Sequence, residues 1–129
     1  MAVFEFSSNY IPAAPVCEVY LGAGGKEPTV GPLTALIDTG ADLTVVPLSY
    51  LQQVKAPQVS QGRVRSIGTE ARFVDIYAVS LKLSGLTLSA LQVLADEYET
   101  EIVLGRTVLN RFKLILDGPA SMTEFVGHI

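Results

Sequence analysis

Apolar and polar positions along this chain change places in short stretches, and turn-forming residues separate the stretches. Val79, Leu81 and Leu83 alternate with Ser80, Lys82 and Ser84, the period of a strand with one buried face. Residues 16–21, 33–37 and 43–46 are short apolar runs that predict three more strands, the last rich in β-branched residues. Gly22-Ala23-Gly24-Gly25 separates the first two, and Asp38-Thr39-Gly40 the next two. Pro47 is placed to open a short helix in which Leu48, Leu51 and Val54 share one face. Residues 64–66 and 72–79 flank Ile67-Gly68-Thr69-Glu70 and predict a hairpin with its tip there. Ser84-Gly85 turns the chain into a strand over 86–94, followed by an acidic loop over 96–101. A strand over 102–104 ends at Gly105, a short helix follows over 107–112, and a final strand covers 112–116. Regularly spaced short strands with turn signals indicate an all-β domain.

Composition narrows the chemistry. At 129 residues, 49% hydrophobic and 17% charged, the chain is expected to form a single ordered domain spanning 1–129. One cysteine, Cys17, excludes an intrachain disulfide and a cysteine-based zinc site. The one histidine, His128, is next to the C-terminus, a poor foundation for a histidine-assisted nucleophile. A net charge of −4 argues against a phosphate-tracking nucleic-acid binder. Residues 1–10 lack the basic start and apolar run of a secretory signal. No stretch approaches the ~18 apolar residues that span a bilayer. The expectation is a soluble, cytoplasmic protein with no cofactor, no metal, no membrane and no nucleic acid. Carboxylate chemistry, or none, is left.

The sharpest local feature is Leu36-Ile37-Asp38-Thr39-Gly40-Ala41-Asp42. An apolar strand delivers a carboxylate to its end, a hydroxyl residue follows, and glycine lets its amide approach the carboxylate closely. Asp-Thr-Gly is also ordinary turn chemistry, so both readings stand on these residues alone. Downstream, Ile102-Val103-Leu104-Gly105-Arg106 again runs an apolar strand into glycine.

Taken together, the two segments resemble the retropepsin family, the single-domain aspartic proteases of retroviruses and their cellular relatives. The resemblance covers about residues 16–116, with the hairpin at about 62–78 where the family has its flap. It implies a closed, barrel-like all-β fold with one short C-terminal helix, assembling as a twofold homodimer. It also implies an aspartic endopeptidase acting on extended peptides. Asp38 matches the catalytic position. Two such carboxylates, one per subunit, share a proton because neighbouring like charges resist double ionisation. Thr39 and Gly40 would form the active-site loop; Ala41 and Asp42, with Ile67 and Gly68 of the flap, would contact substrate. Arg106, opening the helix after Gly105, would pair with Asp42 and brace the loop.

The hairpin carries fewer glycines than the viral flaps, with Gly62 at its base and Gly68 at its tip. Arg63 and Arg65 fall on one strand face, either a solvated outer face or a bias toward acidic substrate residues. Val3-Phe4-Glu5-Phe6 and Phe125-Val126 could form an intersubunit sheet or fray. Two other functional readings remain open: a dimerising or peptide-binding module of the same fold with little activity, and an unrelated small barrel.

Overall fold

The computed structural model describes residues 2–64 and 72–128. The expected hairpin tip, with Ile67 and Gly68, lies outside the described residues, as does Arg65. The described chain forms β1 (Ala2–Glu5), β2 (Val16–Ala23), β3 (Val30–Ile37), β4 (Val45–Pro47), α1 (Leu48–Gln53), β5 (Gln58–Val64) and β6 (Arg72–Leu83). It continues with β7 (Leu86–Asp96), β8 (Ile102–Leu104), α2 (Arg106–Leu109), β9 (Phe112–Asp117) and β10 (Met122–His128).

Six strands close into a barrel in the order β2-β3-β8-β4-β7-β6, because β2 also pairs with β6. The alternation read from sequence explains why. Cys17, Val19 and Leu21 point inward on β2 while Glu18 and Tyr20 point out. On β6, Val79, Leu81 and Leu83 fill the same interior. Each such fully buried aliphatic side chain contributes on the order of 1.5–3 kcal/mol. Ser80 departs from the alternation and is buried too, because β6 is held between β7 and β2 there and Ser80 packs against Gly22. Ser84 and Gly85 join β6 to β7 with φ values of 48° and 82°, the paired positive angles of a two-residue hairpin turn.

The helix after β4 forms as expected: Leu51 is buried, and Leu48 and Val54 pack against the core. Pro47 is its N-cap rather than its first residue, since an extended ψ of 137° keeps Pro47 paired with Asp96 of β7. Among the described residues there are two short helices, the one opened at Pro47 and the C-terminal one that the family resemblance implied. The strand expected over 43–46 begins only at Val45, because Leu43 and Thr44 belong to the loop around Asp38.

The chain also continues past the strand expected to be its last. Asp117 Oδ1 accepts the Ala120 amide at 3.1 Å, Ser121 donates to Gly118 O at 3.0 Å, and β10 returns antiparallel to β9. β1 adds to the far edge of β10, giving a three-stranded sheet within one chain. Phe125 anchors it. The ring is fully buried and meets Phe4 and Phe112 edge-on, with centroids 6.1 and 5.2 Å away. The terminal segments are therefore paired strands rather than frayed ends. No described helix is long and apolar enough to cross a membrane.

Candidate active site

β3 and β8 run parallel side by side, with Leu36 opposite Val103 and Ile37 opposite Leu104. Both are short apolar strands that end at the same level, one in Asp38 and the other in Gly105. The Asp38 amide donates to Leu104 O at 3.0 Å, so the start of the acidic loop is tied to the end of β8. The loop then folds on itself. Gly40 N–H donates to Asp38 Oδ1 at 2.9 Å, and Ala41 N–H donates to Asp38 O at 3.2 Å. A side chain at position 40 would meet, among the described residues, only Asp38 Oδ1, at 3.3 Å. The Asp38 carboxylate is thus oriented by one amide at a half-exposed position.

α2 holds the other side of the loop. Arg106 N–H donates to Ala41 O at 2.9 Å and Thr107 N–H to Asp42 O at 3.2 Å. The Arg106 guanidinium donates through Nη1 to Thr39 O at 2.9 Å and through Nη2 to Asp42 Oδ1. A planar fork makes these bonds from two separate nitrogens held in fixed directions, a spread that the single nitrogen of a lysine does not have. Asp42 and Arg106 side chains are 79% and 44% exposed, so the pair adds little to stability, roughly 0.2–1 kcal/mol. Its effect is to fix the loop's shape.

Gly105 is required for a different reason. A Cβ there would lie 2.3 Å from Leu43 O and 2.9 Å from Ala41 O, both backbone atoms. Only glycine lets β8 pass this close beneath the loop. Thr44 completes the brace: it is fully buried, and its Oγ1 accepts the Gly105 amide at 3.1 Å and meets Thr107 Oγ1 at 2.9 Å.

The structure thus brings Asp38, Thr39, Gly40, Ala41, Asp42, Gly105 and Arg106 into one cluster. Ile67 and Gly68 lie outside the described residues. Thr44 and Thr107 were missed by sequence reasoning. Their signal was a lone hydroxyl inside the β-branched run Leu43-Thr44-Val45-Val46 and another at the start of a short helix. Also missed was a half-buried apolar row. Leu36, Val103 and Val45 are register partners across β3, β8 and β4. Side chains two apart on a strand share a face, so Leu36 and Asp38 lie on the same side of β3.

Two further features fall outside the cluster. Arg63 lies over the Phe73 ring at 6.0 Å on the hairpin, which fits a solvated outer face. Cys17 is buried, and burial, with Glu18 adding to it, pushes its thiol up to about 12. That leaves it protonated and unreactive.

Residues 30–111 match the family described as "gag-polyprotein putative aspartyl protease". The matched stretch runs from β3 through α2 and contains the whole loop and its brace. Solved structures share the fold. A retropepsin-like aspartic protease from Rickettsia conorii is 12% identical with a TM-score of 0.71, over 95% of this chain and 86% of that one. EIAV protease complexed with the inhibitor HBY-793 is 24% identical with a TM-score of 0.51, over 75% of this chain and 86% of that one. The retroviral protease-like domain of Ddi1 from Leishmania major is 15% identical with a TM-score of 0.52, over 85% and 87%. No curated protein matches the chain in sequence.

Proposed function

This chain belongs to the gag-polyprotein aspartyl protease family, and on that footing we propose that two copies of it form one aspartic endopeptidase site. One observation carries the reading: the Asp38-Thr39-Gly40 loop at the end of β3, with an amide on the carboxylate and Arg106 gripping the loop from α2. Among the described residues, Asp38 is the loop's one carboxylate without a cationic partner. Asp42 is engaged by Arg106, so the second acid comes from the Asp38 of a second copy.

In the assembled site the two Asp38 carboxyls share one proton. The ionised carboxylate takes a proton from a water as it attacks the scissile carbonyl carbon. The protonated one hydrogen-bonds the carbonyl oxygen, which becomes a hydroxyl of the tetrahedral intermediate. Collapse of that intermediate returns a proton to the leaving nitrogen and breaks the C–N bond. No covalent enzyme intermediate is formed. Thr39 holds the two loops in register across the axis, Gly40 leaves room for the paired acids, and Ala41 and Asp42 line the cleft. Residues 1–129 act as one retropepsin-like unit, whose β5–β6 hairpin, Ile67 and Gly68 included, closes over the peptide.

The test is cleavage of unfolded proteins and a broad peptide panel at mildly acidic pH, with and without pepstatin. Wild type is expected to cleave, pepstatin to inhibit, and Asp38→Ala to be inactive. Absence of cleavage by wild type across the panel, or cleavage that survives Asp38→Ala, contradicts the proposal. Peptide binding without turnover would leave the fold as a binding module.

A further inference from the structure

Along β3, on the stretch that leads up to Asp38, the chain forms an open concavity of about 570 Å³. Thr34 and Leu36 line it, and Leu36 is two residues from Asp38, roughly 7 Å along the strand. Tyr10 and Tyr50 supply aromatic walls. Its remaining edge is the segment leading into β8, including Glu99 and Glu101. None of the described lining residues is a lysine or an arginine.

Asp96, which starts the acidic loop but does not line the concavity, is used within that loop, where its Oδ1 accepts the amides of Tyr98 at 2.9 Å and Glu99 at 3.2 Å. Glu101 is not so used. Its Oε1 is buried with no hydrogen-bond donor among the described residues. An acceptor taken out of water without a donor costs free energy, and a carboxylate more than a neutral group. Glu101 immediately precedes β8, two residues before Val103, the register partner of Leu36, and lines the concavity together with Leu36 and Thr34.

Such a cavity fits one kind of side chain. It would have an apolar stem to lie along Leu36 and the tyrosine rings, and a cationic head to meet Glu101 and Glu99. We propose that this concavity is a specificity pocket for an arginine or lysine side chain flanking the scissile bond, with Glu101 as its main determinant. The consequence for cleavage rests on the endopeptidase reading above; the recognition itself does not. A carboxylate can take a guanidinium through two parallel bonds, so arginine is favoured over lysine.

The experiment uses peptides that differ only at the residue flanking the scissile bond: arginine, lysine, norleucine or glutamate. Their kcat/KM values are measured with wild type and with Glu101→Gln, which keeps the side chain's shape. Wild type is expected to favour arginine over norleucine by roughly tenfold or more, and the variant to bring that ratio close to one. A ratio that is unchanged by the substitution, or a wild type that favours norleucine or glutamate, overturns the proposal. The same peptides are then titrated into Asp38→Asn, with and without Glu101→Gln, by fluorescence anisotropy. Selective binding of the arginine peptide that depends on Glu101, without any cleavage by wild type, would sink the endopeptidase reading and leave the pocket standing. Cleavage with equal binding of all four peptides would sink the pocket alone.

Discussion

Replacing Gly105 with alanine tests the brace beneath the Asp38 loop. The added methyl would sit 2.3 Å from Leu43 O, 2.6 Å from the Leu43 carbonyl carbon and 2.9 Å from Ala41 O. These are backbone atoms, so no side-chain rotation relieves the contact. Forcing an extra methyl into a packed site costs roughly 1–3 kcal/mol. As the loop and β8 separate, the bonds from Gly105 N–H to Thr44 Oγ1, Arg106 N–H to Ala41 O and Thr107 N–H to Asp42 O lengthen together. Losing about two of them adds roughly 1–2 kcal/mol, for a total of about 2–5 kcal/mol. In a chain of this size that is a fall in Tm of roughly 6–20 °C. The assay is thermal and urea unfolding of wild type, Gly105→Ala and Gly118→Ala. Position 118 has open space around it and no positive φ, so its substitution should stay within about 0.5 kcal/mol of wild type. A Gly105→Ala protein that melts within about 2 °C of wild type would refute the close approach of β8 to the loop.

Arg106→Lys should separate stability from activity: an exposed pair shifts unfolding by under about 1 kcal/mol, while loss of the grip on Thr39 O and Asp42 should lower kcat/KM by roughly tenfold or more. A loss of Tm as large as that of Gly105→Ala, or unchanged kcat/KM, would contradict it. Cys17 should resist thiol reagents in the native protein at pH 8 and react once urea unfolds it. Its folded pKa is raised to about 12 while the unfolded thiol titrates near 9, so the unfolded chain loses its proton first. Stability from this group is therefore full below pH 9 and falls as pH rises from 9 toward 12; Cys17→Ser should flatten that alkaline slope in urea titrations at stepped pH.

How much of this was legible in the sequence differs by element. The strands β2, β3, β6 and β8 could be read because their buried faces alternate or run apolar to a glycine, as in Ile102-Val103-Leu104-Gly105. β10 was only partly legible: Phe125-Val126 offered a short strand, but Asp117-Gly118-Pro119 reads as a stop, and the capping of Ala120 by Asp117 turns it into a hairpin with β9. The pairing of β1 with β10 spans nearly the whole chain, and no local pattern encodes it. In the site, Asp38, Gly40 and Arg106 carried a recognisable spacing. Thr44 did not, because a hydroxyl in a β-branched run looks like any strand residue until Gly105 and Thr107 are brought to it. The Glu101 pocket was hidden for the same reason: its walls come from β3, α1, the segment after β1 and the acidic loop.

The central claim is that each active site takes one Asp38 from each of two chains, and mixing measures it directly. Wild type and Asp38→Asn are unfolded together, refolded at equal amounts and assayed at constant total protein. If both acids are needed, only dimers of two wild-type chains are active, and activity falls to about a quarter of that of wild type. A fall to about half, the value for chains that each act alone, would contradict the account.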